Sequence, residues 1–277
     1  MPDQADPAGV VARARGWFEA SYPGAVVRRF FGLELLDRSF ALAAQAFVAL
    51  LPLVIVAVSA FVTDSATTIS NSIGDRFGLD AAARTALFVL FEHPGTAAIS
   101  WVAILISLLS AFSLSRRLAR TYAVIFEVPP LPRNKSWHGL VWIVLQVTLF
   151  VGASMLRDLR QGSGPFLAVV AALALVLLWF AADVAGLRLL VPSAPLRMMV
   201  ASAVVSSLGR VLIAAWAAVY MPASLSQQAD QYGPIGVTFA IFTYILVGVL
   251  AYVIAPLLVT TWVKWWAERG ASVSAHQ

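Results

Sequence analysis

The fold is decided by residues 198–220, which read MMVASAVVSSLGRVLIAAWAAVY. The stretch has 23 residues, and Arg210 is its single charged side chain. A helix that rises about 1.5 Å per residue would make it roughly 34 Å long, enough to cross a hydrocarbon core of about 30 Å. We therefore expect a transmembrane helix with Arg210 about 18 Å from its start, near the middle of the bilayer.

Arg210 shares one helix face with two serines. Ser202, Ser206 and Arg210 recur every fourth residue, which places them on the same side of a helix. A charge at the bilayer centre costs at least about 2.5–3.5 kcal/mol, so this face should meet protein or a wet cavity. In one interpretation the guanidinium binds an anion or a lipid headgroup, because it can form two bonds to a phosphate. In the other, it is buried against serine hydroxyls and carbonyls and holds helices together.

The composition of the whole chain agrees with a membrane environment. The chain has 277 residues, of which 60% are hydrophobic and 12% charged, and its mean hydropathy is +0.84. Soluble domains have about 25% charged residues, so this chain has more apolar surface than it can bury by itself. It has no cysteine, which excludes disulfides and thiolate metal sites.

The apolar stretches predict an all-α, polytopic membrane bundle with six transmembrane helices. The predicted spans cover residues 39–62, 97–115, 137–155, 165–187, 198–220 and 234–263, which together form a transmembrane domain over residues 39–263. Between the first two, residues 79–92 have the spacing of a short amphipathic helix. The other connections are predicted as loops, the longest at residues 116–136 and 221–233.

The two ends of the chain are predicted to flank this domain on one side of the membrane. Residues 1–38 mix basic and aromatic side chains without a long apolar run, which is typical of an interfacial helix; a solvated leader is the alternative. We expect Pro23-Gly24 to divide that helix into two pieces. Residues 264–277 form a tail that begins with Lys264 and two tryptophans at headgroup level.

The basic residues predict the orientation of the bundle. Of the 19 Lys and Arg residues, 14 fall on the side of the termini and 4 fall on the opposite side. The remaining one, Arg210, lies inside a predicted span. Cytoplasmic loops carry the excess of basic residues, so both termini are predicted in the cytoplasm. The same distribution explains the pI near 10.0 without nucleic acid as a partner.

Three more polar side chains are predicted at membrane depth, namely Gln45, Gln146 and Asp183. Asp183 lies only about 6 Å inside the end of its predicted span, whereas Arg210 lies about 18 Å from the same side. A direct pair between them is therefore the less favoured arrangement, and the alternative is that Asp183 reaches the interface or meets Arg188 and Arg197. Both glutamines are of a type that often bonds neighbouring membrane helices together. With Ser202, Ser206 and Arg210, these residues form the predicted candidate cavity.

The sequence offers little for catalysis. The histidines, at positions 93, 138 and 276, lack the spacing of a zinc site, and neither a nucleophile elbow nor a phosphate-binding loop occurs. We therefore predict no catalytic residue, no metal and no cofactor, and we expect a protein that is not an enzyme.

Four segments of the chain resemble the YihY/BrkB family of bacterial inner-membrane proteins, once labelled ribonuclease BN. The resemblance covers roughly residues 30–265. It rests on SFALAAQAFVALLPLVIV (39–56), SLLSAFSLSRRLARTYAVIFEVP (107–129), VVSSLGRVLIAAWAAVY (204–220) and QYGPIGVTFAIFTYILVGVLAYVIAP (231–256). It implies a six-helix bundle in the bacterial cytoplasmic membrane, with cytoplasmic termini. The chain has Ser207 and Ala255-Pro256 where the family often has carboxylates, so no role of those carboxylates is carried over.

Two functions follow as hypotheses. The first is a transporter or flippase for a lipid-like or other anionic substrate, with membrane lipids as its partners and the Arg210 face as its cavity. The second is a non-catalytic scaffold or assembly partner of cell-envelope machinery, for which a closed bundle would be sufficient. The sequence leaves the substrate and the oligomeric state open.

Overall fold

The protein is almost entirely helical. The computed structural model describes residues 16–61, 71, 74, 81–91, 97–161 and 164–274, and within these ranges no strand occurs. The helices are α1 (Tyr22–Gly32), α2 (Leu35–Phe61), α3 (Ala81–Phe91), α4 (Ala97–Phe126), α5 (Trp137–Gln161), α6 (Pro165–Leu190) and α7 (Leu196–Ser274), with a 3₁₀ turn at Arg133–Lys135. The all-α prediction is confirmed, and α3 confirms a helix within residues 79–92.

Two of the helices, α6 and α7, are long and apolar enough to cross a membrane. In their most apolar windows only 11% and 17% of the residues are buried, so the rest are partly or fully exposed. On α6 the exposed fraction is 81% for Phe166 and 65% for Leu177. Surfaces this apolar need an apolar environment, because soluble monomers rarely expose large contiguous apolar patches.

Helix α7 is two helical arms joined at one residue. Gly233 has φ 59° and ψ −140°, a conformation that glycine adopts far more readily than other residues. We call residues 196–232 the first arm and residues 234–274 the second arm. Pro234 follows the break in the first turn of the second arm, where its missing N–H leaves no bond unmade.

The predicted loop at residues 221–233 was wrong, because the first arm continues through it as a helix. Met221, Leu225 and Ala229 recur every fourth residue and are all buried, so this segment has an apolar stripe that packs as part of the bundle. Its polar residues lie between these positions and had suggested a loop.

The long basic loop predicted at residues 116–136 also begins later than expected. Helix α4 ends at Phe126, 11 residues beyond the predicted end at 115. Leu118, Tyr122 and Ile125 are buried at helical spacing and belong to the main apolar core. Arg116, Arg117 and Arg120 occupy the other faces of the same helix, so their charge does not end it. The predicted spans ending at 155 and 187 likewise extend to Gln161 and Leu190.

The amino-terminal helix divides at Ser21 rather than at Pro23-Gly24. The Ser21 hydroxyl accepts a hydrogen bond from the Gly24 N–H at 3.3 Å and caps α1, with proline in the first turn where it is tolerated. A Cβ at Gly24 would lie 2.0 Å from the Phe18 carbonyl oxygen, so the close approach at this break requires glycine.

Helix α1 meets the ends of α4 and α6, the start of α5 and the second arm of α7 at one end of the bundle. We call it the basic end, because Arg29, Lys264 and the arginines of α4 lie there. The Tyr22 hydroxyl of α1 donates to the Leu258 carbonyl of the second arm at 3.0 Å. His138, at the start of α5, bonds the Leu189 carbonyl near the end of α6 at 3.0 Å. The core formed by Leu35, Ile125, Leu190, Met199 and Leu257 lies next to this end.

Packing at the break in α7 gives a first prediction. A Cβ at Gly236 would lie 2.1 Å from the Gln228 carbonyl oxygen, so Gly236→Ala forces the two arms apart. Overpacking of this kind costs about 1–3 kcal/mol, and we expect a lower Tm in detergent. Gly248→Ala is the matched control, because a Cβ there meets nothing within 4 Å. It should keep or raise the Tm, since alanine is the better helix former by about 1 kcal/mol. Equal effects of the two changes would contradict this packing.

Candidate functional site

A buried ion pair joins α6 to the first arm of α7. Nη2 of Arg210 donates to Oδ1 of Asp183, and the exposed fractions of the two side chains are 20% and 7%. The expectation that Asp183 would reach the interface, Arg188 or Arg197 was therefore wrong.

The direction of helical side chains explains why counting residues failed. Asp183 lies about 10 Å from the end of α6, and Arg210 lies about 21 Å from the start of α7. Side chains on a helix tilt toward its amino terminus. Because α6 and the first arm run in opposite directions, Asp183 tilts toward the level of Arg210 and Arg210 tilts toward the level of Asp183. The length of the arginine side chain closes the remaining gap.

Two aromatic rings complete the surroundings of the guanidinium. Its Cζ lies 4.6 Å from the centroid of the Trp179 ring and 4.3 Å from that of the Tyr252 ring, both within cation–π range. Trp179 was missed in the sequence, although it precedes Asp183 by one helical turn and so shares its face. Tyr252, in the last predicted span, was not among the predicted site residues either.

A small cavity lies beside the ion pair. Its volume is about 20 Å³, which is room for about one water molecule. The candidate residues Gln146, Asp183, Ser202 and Ser206 line it, and so does Tyr252. The other lining residues are Tyr122, Trp142, Ala182, Gly186, Leu187 and Pro256. The structure thus brings Gln146 from α5 to the same place as the serines and the ion pair.

Several polar atoms of the cluster have no hydrogen-bond partner among the described residues. These atoms are Oδ2 of Asp183, Oγ of Ser202 and Nε of Arg210. Buried polar atoms are normally paired, and each unpaired one costs about 1–3 kcal/mol. The cluster is therefore a polar site with capacity for a further hydrogen-bonding atom, such as one water or a ligand oxygen.

Gln45 does not belong to this cluster. Its Nε2 donates to the Ser113 hydroxyl at 3.1 Å, and the Ser110 hydroxyl donates to the backbone carbonyl of Gln45 at 3.1 Å. Gln45 therefore joins α2 to α4, the role of bonding neighbouring helices that sequence reasoning had also considered. Its place in the candidate cavity was wrong.

A second network of charges lies at the basic end. Nη2 of Arg29 donates to Oε1 of Glu127 at 3.0 Å and to the Ile125 carbonyl at 2.7 Å, and Lys264 donates to the same Glu127 oxygen. Nη1 of Arg29 also reaches the Thr260 hydroxyl at 2.7 Å. One arginine of α1 thus fastens the end of α4 to the second arm of α7. The Lys264 hydrogen bond lowers the pKa of Glu127 below its ordinary value, and Arg29 contributes to the shift.

The arrangement can hold and neutralise charge. In the part of the chain that the structure describes, no group of three His, Asp or Glu side chains is placed to hold a metal. The guanidinium can exchange its carboxylate partner for another anion, because both form the same charge-assisted bonds. Comparison with protein-family models, curated proteins and solved structures found no match for this chain.

The ion pair predicts a non-additive pattern of stability. Arg210→Met leaves the Asp183 carboxylate buried without its partner, which costs about 3–5 kcal/mol. Replacing both residues, Asp183→Leu with Arg210→Met, removes the buried charge altogether and should recover most of that loss. Unfolding in mixed micelles of the two single variants and the double variant measures the coupling. Additive losses would contradict a buried pair.

The basic end predicts an acid-sensitive contribution to stability. Because the folded state lowers the pKa of Glu127, the stabilisation is complete above the ordinary value of 4.5 and is lost as the pH falls through the lower folded value. Glu127→Gln should therefore reduce the Tm at pH 7, and the reduction should become smaller as the pH falls below 4.5. A Tm difference that stays constant over this range would contradict the assignment.

Proposed function

We propose that this chain is an integral protein of the bacterial cytoplasmic membrane that transports or flips a lipid-like or other anionic substrate. The observation that carries the proposal is the buried Asp183–Arg210 pair with unpaired polar atoms around it. A buried ion pair is poor evidence of stability, because an apolar replacement of similar size is often as stable. Ionisable groups inside a membrane domain mark substrate or ion pathways more often than structural contacts.

The proposed topology has six transmembrane helices formed by α2, α4, α5, α6 and the two arms of α7. Supporting it, the basic end gathers the arginines of α1 and α4 together with Lys264, and aromatic side chains surround it. Trp262, Trp265 and Tyr22 contact one another there, with ring centroids 5.2–6.1 Å apart. Aromatic belts mark membrane interfaces and an excess of positive charge marks the cytoplasmic side, so this arrangement supports the proposal that both termini are cytoplasmic.

The substrate would reach the guanidinium by competing with Asp183. The cavity of about 20 Å³ is too small for a headgroup, so the proposed cycle needs a second, open conformation. The break at Gly233 separates the arm that carries Arg210 from the arm that carries Tyr252. A small change of angle there would move the tyrosine away from the guanidinium, because hinges need only a few residues that absorb a dihedral change.

We further propose that the chain is of YihY/BrkB type. The resemblance rests on the four quoted segments, two of which hold the residues that meet at the cluster, Arg210 in one and Tyr252 in the other. The proposal of transport does not depend on this assignment, since it follows from the buried charge.

A second candidate function is a non-catalytic scaffold or assembly partner of cell-envelope machinery. The observation that favours it is the closed state of the cluster, in which Arg210 already has a carboxylate partner and two aromatic contacts. Under this alternative the ion pair fixes the register of α6 against α7 and carries no substrate.

Lipid movement in vesicles distinguishes the two candidates. Purified protein is placed in vesicles with fluorescent phosphatidylglycerol or, as the neutral comparison, fluorescent phosphatidylcholine, and dithionite quenching reports transfer between leaflets. We expect transfer of the anionic lipid by the native chain. The double variant Asp183→Leu with Arg210→Met should fold but lose at least about tenfold in rate, since one charge-assisted bond is worth about 1.5–3 kcal/mol.

The matched control is Arg188→Met, which removes an exposed arginine from the basic end and leaves the cluster intact. It should transfer lipid at the native rate. If the double variant moved every anionic lipid tested as fast as the native chain, transport through this cluster would be refuted. No transfer by the native chain would favour the scaffold.

A further inference from the structure

A second pocket at the basic end has the charge and size of an anion site. It lies between α2 and α4, has a volume of about 330 Å³, and is lined by Asp37, Arg38, Ala41, Arg117 and Arg120. Three guanidinium groups and one carboxylate give its walls a net charge of +2. It is separate from the Asp183–Arg210 cluster, with which it shares no lining residue.

The guanidinium groups of this pocket are not neutralised by ion pairs. Among the described residues, no carboxylate lies within salt-bridge distance of Arg38, Arg117 or Arg120. This differs from Arg29 and Lys264 at the same end of the bundle, both of which bind Glu127. The charge of the pocket is therefore available to an external anion.

Backbone contacts orient two of the three side chains. Nε of Arg38 donates to the Leu33 carbonyl at 3.0 Å, and Nε of Arg120 donates to the Arg116 carbonyl at 3.3 Å. These bonds use the inner nitrogen of each guanidinium and leave the terminal nitrogens to donate elsewhere. Arg117 is half-buried in the wall. Planar donor groups held from two helices suit a phosphate, whose oxygens accept pairs of such bonds.

The surroundings favour a phosphate that belongs to a lipid. Beside Asp37 and Arg38, the α2 side chains Leu36 and Phe40 are exposed, and Val48 follows two turns further along. Phe40 and Val48 are eight residues apart, which places them about 80° apart around α2, and both are exposed, so apolar surface continues along the outside of this helix beside the pocket. An acyl chain can follow this surface while the headgroup stays between the arginines.

We propose that this pocket binds the phosphomonoester headgroup of an anionic membrane lipid. A phosphomonoester carries about −1.5 to −2 charges near pH 7, which matches the pocket better than the single charge of a phosphodiester. The proposal requires that the chain lies in a membrane, but it does not require transport. Its failure and the failure of the proposed transport can therefore be separated, because Arg210 takes no part in this binding.

Binding of defined lipids to the purified full chain tests the proposal. The protein in neutral detergent is titrated with phosphatidic acid, phosphatidylglycerol, phosphatidylcholine or inorganic phosphate. We expect saturable binding with phosphatidic acid tightest and phosphatidylcholine weakest. Arg38→Gln and Arg117→Gln should each weaken phosphatidic acid binding about tenfold or more, because each removes charge-assisted hydrogen bonds. Asp37→Asn should tighten it.

Two controls decide between this site and general attraction of anions. Arg188→Gln removes one positive charge from the same end of the bundle outside the pocket and should change the affinity less than twofold. Arg28→Gln, which removes an exposed arginine of α1 that does not line the pocket, should likewise change the affinity less than twofold. Equal weakening by Arg188→Gln and Arg117→Gln would overturn the site. It would also be overturned if Asp37→Asn, Arg38→Gln and Arg117→Gln, each made singly, all left the affinity unchanged. Inorganic phosphate binding as tightly as phosphatidic acid would overturn the assignment to a lipid.

Discussion

The Asp183–Arg210 ion pair is the interaction on which the rest of the structure depends. Two charges inside an apolar bundle must be neutralised from within, because apolar surroundings supply no hydrogen bonds. The surrounding helices meet this requirement from four sides: α6 contributes Asp183 and Trp179, the first arm of α7 contributes Arg210 and the serines, the second arm contributes Tyr252, and α5 contributes Gln146. The packing of these helices brings these polar and aromatic side chains together around the ion pair and the cavity beside it.

The basic end meets a different requirement. There the charges lie at the edge of the apolar region, and Arg29 links α1, the end of α4 and the second arm through hydrogen bonds to Glu127, Ile125 and Thr260. The arginines beside α2 remain unpaired among the described residues and line an open pocket. The bundle thus keeps paired charge in its interior and available charge at its end. An anionic lipid headgroup would reach the pocket arginines at the basic end before the Asp183–Arg210 pair in the interior.

The helical class could be predicted from the sequence, because an apolar surplus this large leaves few alternatives. The ends of the helices were predicted less accurately than the helical class. Tyr122, Ile125, Leu225 and Ala229 lie in segments with many polar residues, and only their spacing of three or four shows that one face is buried. Composition had assigned those segments to loops, whereas the burial of one face keeps them helical.

The candidate site was predicted in part. Ser202, Ser206 and Arg210 follow from helical periodicity, and Asp183 and Gln146 do lie beside them. The pairing was missed because depth was counted along each helix without the opposite tilt of the two side chains. Tyr252 could not be assigned, since its register against Arg210 depends on the angle of the chain at Gly233. Gln45 was misplaced because nothing in the sequence shows which neighbour α2 faces at that position.

The most direct test of the buried cluster is the environment of single positions along the first arm of α7 in a bilayer. The chain has no cysteine, so single cysteines carrying a nitroxide can be placed at Val204, Leu208 and Val211 and, by comparison, at Ala203 and Ser207. Relaxation by oxygen, which concentrates in lipid, reports the surroundings of each label. The account predicts strong relaxation at Val204, Leu208 and Val211, which are exposed, and weak relaxation at Ala203 and Ser207, which are buried. Equal relaxation on both faces, or the reverse pattern with the Arg210 side in lipid, would contradict it.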